Sequence, residues 1–193
     1  MRIITGSARG IRLETLTGEE TRPTLERVKE AVFSSIQFEI EGRRFLDLFS
    51  GSGQMALEAL SRGAALAVMV DSSPEAIAVM KTNAKKAKLF DRCRIVNYQY
   101  ETYLRGAAGK EQFDLIYLDP PFDGDPMREV LRKLDRSGVA APHAMILCET
   151  ETPEIFGDDR ELAAKYRIHK IAKYGRIRIV YLSPALPGGD SEA

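Results

Sequence analysis

The sequence predicts an α/β protein built on a doubly wound, mostly parallel sheet. Three observations carry this. Apolar runs of strand length alternate with longer stretches at helical spacing between Gly42 and Cys148, several of those runs end on an acid or a glycine-rich turn, and two last runs joined at Tyr174-Gly175 break the rhythm. Alternation of this kind gives parallel βαβ units with helices on both faces, and the closing pair reads as an antiparallel hairpin, for seven strands in all.

Each element has its own justification. Residues 1 to 20 are short and glycine-punctuated, with Arg9 to Leu13 reading as a small strand or an arm. Beyond Thr21-Arg22-Pro23-Thr24, the residues Leu25, Val28, Val32 and Ile36 recur at helical spacing, which predicts a helix capped by Thr24 and running to about Phe38. Phe45 to Phe49 is a strand, Ser50-Gly51-Ser52-Gly53 a turn, and Met55, Leu57 and Leu60 mark an amphipathic helix that stops at Gly63. Ala64 to Val70 is the next strand, ending in Asp71. Ser73 before Pro74 is an N-cap followed by proline at the first helical position, opening a helix to about Lys88. Arg94 to Val96 and Phe113 to Leu118 are further strands, Asp125-Pro126 starts a helix closed by Gly138, and Ala144 to Cys148 is the fifth strand. The hairpin comprises Tyr166 to Lys173 and Arg176 to Leu182. Pro184 to Ala193, rich in glycine, proline and acid, is expected to be disordered. One domain over residues 1–183 follows, with residues 1–40 as an N-terminal arm and helix and 41–183 as a Rossmann-like core.

The totals bound the function. At 193 residues the chain buries a sizeable core without disulfides or metal. Cys93 and Cys148 lack metal-ligand spacing, and His143 and His169 have no metal partner in sight, so no metal is expected. No apolar stretch approaches the roughly 20 residues of a membrane span, so a cytoplasmic protein, monomeric and without a membrane partner, is the default. The 28 basic and 28 acidic residues exclude a uniformly cationic nucleic-acid coat but leave room for local patches. Arg2, Arg9 and Arg12 form one, Lys81 to Arg94 a second, and Arg160 to Arg178, with seven cations against Glu161, a third. Charge runs of this kind are most often solvated faces.

The chemistry concentrates where predicted strands end. In an open α/β sheet, ligands bind beyond the carboxyl ends of the strands. The run Phe113 to Leu118 is closed by Asp119-Pro120-Pro121-Phe122: a carboxylate, two carbonyls whose nitrogens carry no hydrogen, and an aromatic ring. Such a site is rich in acceptors and suits a planar amine. Gly51, Gly53 and Ala56 meet the dinucleotide pattern G-x-G-x-x-G/A, and Asp71 follows at about the 20-residue distance of a ribose-binding acid. That pattern alone would admit a nicotinamide enzyme, and a purely structural turn would use the same glycines. Asp47 before the loop argues for S-adenosylmethionine, because an acid there suits a cationic amino-acid end and repels a pyrophosphate.

Taken as a whole, Asp47-Leu-Phe-Ser-Gly-Ser-Gly53 with Leu57 to Gly63 resembles motif I of class I S-adenosylmethionine-dependent methyltransferases, and Asp119 to Phe122 resembles their motif IV. Ile3-Ile4-x-Gly6-x-x-x-Gly10-x-x-Leu13, Thr21 to Thr24, and Arg27-Val28-x-Glu30-x-Val32-Phe33 are similar to the RsmD family, bacterial methyltransferases acting on the guanine exocyclic N2 of 16S ribosomal RNA. The resemblance spans residues 1 to about 183. It departs at Gln54-Met55-Ala56, where the family usually has Ala-Leu-Gly, and at Asp71, where it usually has Glu; the loop positions are expected to contribute mainly backbone, and the shorter carboxylate still reaches a ribose.

The resemblance implies a methyltransferase sheet of Rossmann-like type, S-adenosylmethionine as cofactor with S-adenosylhomocysteine as product, and 16S ribosomal RNA as partner, within a small-subunit assembly intermediate. It implies catalytic roles for Asp119, Pro120, Pro121 and Phe122, with Phe122 stacking on the base. Cofactor contacts fall to Asp47, Phe49, Ser50, Gly51, Ser52, Gly53, Asp71, Ser72 and Thr24. Arg9, Arg12 and Arg22 are candidate RNA contacts. The amine-positioning logic of Asp119 serves DNA or RNA adenine N6 equally well, and an RNA assembly factor without catalysis is the non-enzymatic alternative.

Overall fold

The computed structural model describes residues 1–16, 23–121 and 126–186. Seven strands, β1 (Arg44–Asp47), β2 (Leu66–Asp71), β3 (Cys93–Asn97), β4 (Phe113–Leu118), β5 (Ala140–Thr150), β6 (Tyr166–Tyr174) and β7 (Ile177–Pro184), form one sheet in the order β3-β2-β1-β4-β5-β7-β6. β1 to β5 are mutually parallel, and β7 runs antiparallel to β5 and to β6. The doubly wound sheet with its appended hairpin is therefore as the sequence predicts.

Side chains alternating along each strand separate two cores. Phe45, Met69, Leu115, Tyr117 and Tyr181 face α1 (Pro23–Ser35), α2 (Gln54–Ser61) and α3 (Pro74–Lys86). Leu46, Val68, Ile116, Leu118 and Val180 face α4 (Tyr100–Ala107), α5 (Pro126–Ser137) and α6 (Arg160–Ala163). β4 is covered on both sides, which is why its sequence is apolar at every position but half-buried Asp114. The chain leaves β1 for β2 over one face and reaches β4 from β3 over the other. The topological switch point thus lies between β1 and β4, and there the carboxyl ends open into a crevice.

The N-terminal arm is part of the folded unit. Ile3 and Leu13 are buried in the α1–α3 core, and Ile3 N donates to Ile11 O at 3.0 Å while Leu13 N donates to Met1 O at 3.0 Å. Glu58 in α2 is fully buried; it accepts from Ile4 N at 2.8 Å, Thr5 N at 3.1 Å and Arg62 Nε at 2.8 Å, and pairs with buried Lys29 at 3.7 Å. Ser61 binds the same arm, accepting from Ala8 N and donating to Thr5 O. Gly6, at φ +88, lies so close that a Cβ would stand 1.8 Å from Ser61 O.

Several boundaries differ from the sequence expectations. Pro23 opens α1, so Thr24 lies within the helix and does not cap it, consistent with the fit of proline at a first helical position. That helix ends at Ser35, and Phe38 falls in a following 3-10 turn. β5 begins at Ala140, four residues before the expected start, with Pro142 accommodated where its register with β4 shifts. α4 and α6 were not expected; α4 has only three buried residues, Tyr103, Leu104 and Ala107, and contains Gly106. The stretch expected to be disordered from Pro184 is ordered at its start, where Pro184 pairs with Tyr166 and Ala185 N donates to Lys165 O at 2.8 Å; residues 187–193 lie outside the described residues. Ser73 does cap α3, accepting from Ala76 N. No helix among the described residues is long and apolar enough to cross a membrane.

Candidate active site

β1 ends at Asp47, and the chain then turns through Ser50 to Gly53 into α2. Gly51 and Gly53 have φ of +50 and +79, left-handed backbone that glycine adopts without penalty. A Cβ on Gly53 would also press to 2.9 Å of Met69 Sδ. The loop is tied at three points. Ser50 N donates to Val70 O at 3.0 Å, Gly51 N donates to Asp71 Oδ2 at 2.9 Å, and Asn83 Nδ2 donates to Ser52 O at 2.9 Å. Asn83 Nδ2 also donates to Glu14 O, so α3 holds loop and arm together.

At the end of β2, the Asp71 carboxylate receives Gly51 N on one oxygen and Ser73 N, at 2.8 Å, on the other. Each oxygen keeps a further lone pair. Asp71 and Ser72 border a cleft of about 420 Å³ whose other walls include Leu16, Tyr98, Gln99, Tyr100 and the Asp119-Pro120-Pro121 end of β4.

A second, smaller cavity of about 80 Å³ lies under the loop. Asp47, Ser50, Ser52 and Gln54 line it from β1 and α2, Val28 and Lys29 from α1, and Tyr117 and Glu149 from β4 and β5. Phe49, Gly51 and Asp119 border both spaces, so the two are neighbours across the switch point.

The small cavity is electrostatically unusual. Asp47 is buried, and desolvation pushes its carboxyl up to about 7 against the counter-effect of hydrogen bonds, including Phe49 N to Oδ1 at 3.4 Å. Tyr117 Oη donates to Glu149; burial raises both, and Asp119 and Asp47 add to the effect on the tyrosine. Desolvation lowers Lys29, whose ammonium is turned to Arg2 O at 2.6 Å and to Glu58. Gln54 Oε1 is shielded from solvent and has no hydrogen-bond partner among the described residues. A cavity with several carboxylates and an orphaned acceptor fits a ligand bringing N–H donors and positive charge. Among the described residues there is no group of three or more His, Cys, Asp or Glu that could hold a metal ion.

The structure thus brings Asp47, Phe49, Ser50, Gly51, Ser52, Gly53, Asp71, Ser72, Asp119, Pro120 and Pro121 to one crevice. Arg9 and Arg12 are exposed on the arm and line neither space. Thr24 falls in the first turn of α1, while Arg22 and Phe122 lie outside the described residues. Sequence reasoning missed Lys29, Tyr117 and Glu149, which read as ordinary helix and strand positions. It also gave Gln54 a mainly backbone role, whereas the residue lines the cavity with a shielded Oε1 that has no partner among the described residues.

Comparison with known proteins agrees with this architecture. The family described as Conserved hypothetical protein 95 matches residues 1–183. Ribosomal RNA small subunit methyltransferase D of Haemophilus influenzae is 32% identical over 152 residues, covering 78% of this chain and 79% of that one. The protein of the same name from Escherichia coli is 32% identical over 151 residues, covering 78% and 75%. Among solved structures, YhhF from Escherichia coli superposes with a TM-score of 0.81 at 28% identity, covering 95% of this chain and 97% of that one. More distantly, SMU.776, solved in complex with SAH, shares the fold at a TM-score of 0.66 and 17% identity, covering 80% of this chain and 49% of that one. With a family match over residues 1–183 and relatives above 30% identity along most of their length, the chain belongs to the Conserved hypothetical protein 95 family, the RsmD family of methyltransferases.

Proposed function

We propose that the protein transfers a methyl group from S-adenosylmethionine to the exocyclic N2 of a guanine in 16S ribosomal RNA. The observation that carries the reading is the position of Asp119-Pro120-Pro121 at the end of β4 by the switch point: all three border the cleft at Asp71, and Asp119 also borders the cavity at Asp47. A carboxylate for a planar amine therefore stands beside a nucleoside-sized space. The ribosomal substrate is supported by the relatives' names and by the resemblance of residues 1 to 33; the acceptor chemistry of Asp119 by itself serves adenine N6 as well.

In this reading Asp71 and Ser72 take the ribose hydroxyls, the backbone of Gly51 to Gly53 allows close approach, and Asp47 meets the ammonium of the amino-acid end. When bound, the cofactor supplies an electrophilic methyl carbon on a sulfonium, whose bonding electrons remain with sulfur. Asp119 and the Pro120 carbonyl accept hydrogen bonds from the guanine amine. This opposes delocalisation of the nitrogen lone pair into the ring, aims it at the methyl carbon and stabilises the positive charge that develops. Phe122 stacks on the extruded base. The excess proton on nitrogen then leaves to Asp119 or to water.

Binding and turnover measured together on Asp119→Ala test this. Turnover is expected to fall by about a thousandfold, with the calorimetric affinity for S-adenosylhomocysteine held within about threefold of wild type. Preserved turnover with lost affinity would refute the assignment. A melting-temperature rise with NAD and none with S-adenosylhomocysteine would refute the cofactor.

A further inference from the structure

Resting on the methyl-donor reading above, we propose that Gln54 is a specificity contact for the α-ammonium group of the cofactor's amino-acid end. Gln54 opens α2 directly after the left-handed Gly53, and it is one of the residues lining the small cavity with Asp47 and Asp119. Its Oε1 is buried and accepts no hydrogen bond from any described residue. A buried acceptor left unpaired is costly, and such atoms persist where a ligand supplies the missing donor.

The neighbouring donors are engaged elsewhere. Lys29 Nζ donates to Arg2 O and faces Glu58, Tyr117 Oη donates to Glu149, and Ser50 Oγ donates to Asp47 O. Acceptors lining the cavity include Asp47, Asp119 and Glu149 besides the Gln54 carbonyl. An ammonium brings three N–H donors and no acceptor. Asp47 can take part of that set, but one of its oxygens already receives Phe49 N. The Gln54 carbonyl completes the set with a neutral acceptor, which adds a hydrogen bond without adding another buried negative charge beside Asp47 and Asp119.

Calorimetric titration at pH 8 of wild type, Gln54→Leu and Gln54→Ala with four ligands tests the inference. The ligands are S-adenosylhomocysteine, its decarboxylated analogue that keeps the amine, its deaminated analogue that keeps the carboxylate, and 5′-methylthioadenosine, which lacks both. Both variants are expected to weaken the two amine-bearing ligands by about tenfold, the worth of one buried hydrogen bond to a charged donor. They should leave the other two within about twofold, and that retained binding also reports that the variants fold. A loss shared equally by all four ligands, a loss that follows the carboxylate, or no loss would overturn the inference while leaving the cofactor assignment standing. Failure of the wild type to bind any of the four would overturn both.

Discussion

Asp47 is the residue whose environment has the plainest solution signature. Burial raises its carboxyl to about 7, so near neutral pH it is half protonated in the free protein. The sign of the consequence is opposite for folding and for binding. For folding, the native state holds a proton that the unfolded chain has released above its ordinary value of 3.8, so stability from this group is full at low pH and is lost as pH rises through 7. Asp47→Asn should therefore melt higher than wild type at pH 8, with the gap narrowing as pH falls from 7 and closing only below about 3.8. For binding, a cationic ligand selects the ionised carboxylate. Affinity for S-adenosylhomocysteine should drop by about tenfold from pH 8 to pH 6 in wild type, with proton release on binding, and Asp47→Asn should bind weakly with little pH dependence. A pH-independent wild-type affinity would remove Asp47 from the cation site.

At the scale of elements, the arm and α2 form the joint that carries the glycine loop. Gly6 touches the Ser61 carbonyl, and Glu58 bonds Ile4, Thr5, Arg62 and Lys29 at once. Glu58→Ala would strand the buried Lys29 ammonium and free two arm N–H groups, and a loss of about 3–5 kcal/mol in urea unfolding is expected. Gly6→Ala should cost at least about 2 kcal/mol by the same measurement, because both φ and the backbone contact forbid a Cβ. Wild-type stability in either variant would mean that the arm is only loosely docked.

The same elements show why the sequence was readable in some places and silent in others. β4 was legible to the residue because burial on both faces makes it apolar at every position but Asp114 and the prolines end it. α3 was legible from Ser73-Pro74. α4 was not, since its helix holds by three buried side chains too few to set a period. Of the crevice, the residues at strand ends were found because topology forces ligands there. Lys29, Tyr117, Glu149 and Gln54 were not, because what gives them a site is packing across α1, α2, β4 and β5, a relation no local spacing encodes.

For the whole molecule, equal numbers of acids and bases give no net-charge attraction to RNA beyond local cationic patches, and the electrostatic share of phosphate binding falls steeply with salt. Under the function proposed above, recognition is expected to draw on the shape of a folded ribonucleoprotein. At 150 mM salt the protein should methylate a small-subunit assembly intermediate at least about tenfold faster than protein-free 16S transcript; equal rates would contradict this. The central claim, that Asp119 and its neighbours serve a guanine amine of small-subunit RNA, is tested most directly by mass mapping of ribosomal RNA from cells lacking the protein. One guanine of 16S RNA should lose a single N2-methyl group, regained on complementation with wild type and not with Asp119→Ala. An unchanged 16S map, or a methyl group missing from adenine or from another RNA, would contradict the account.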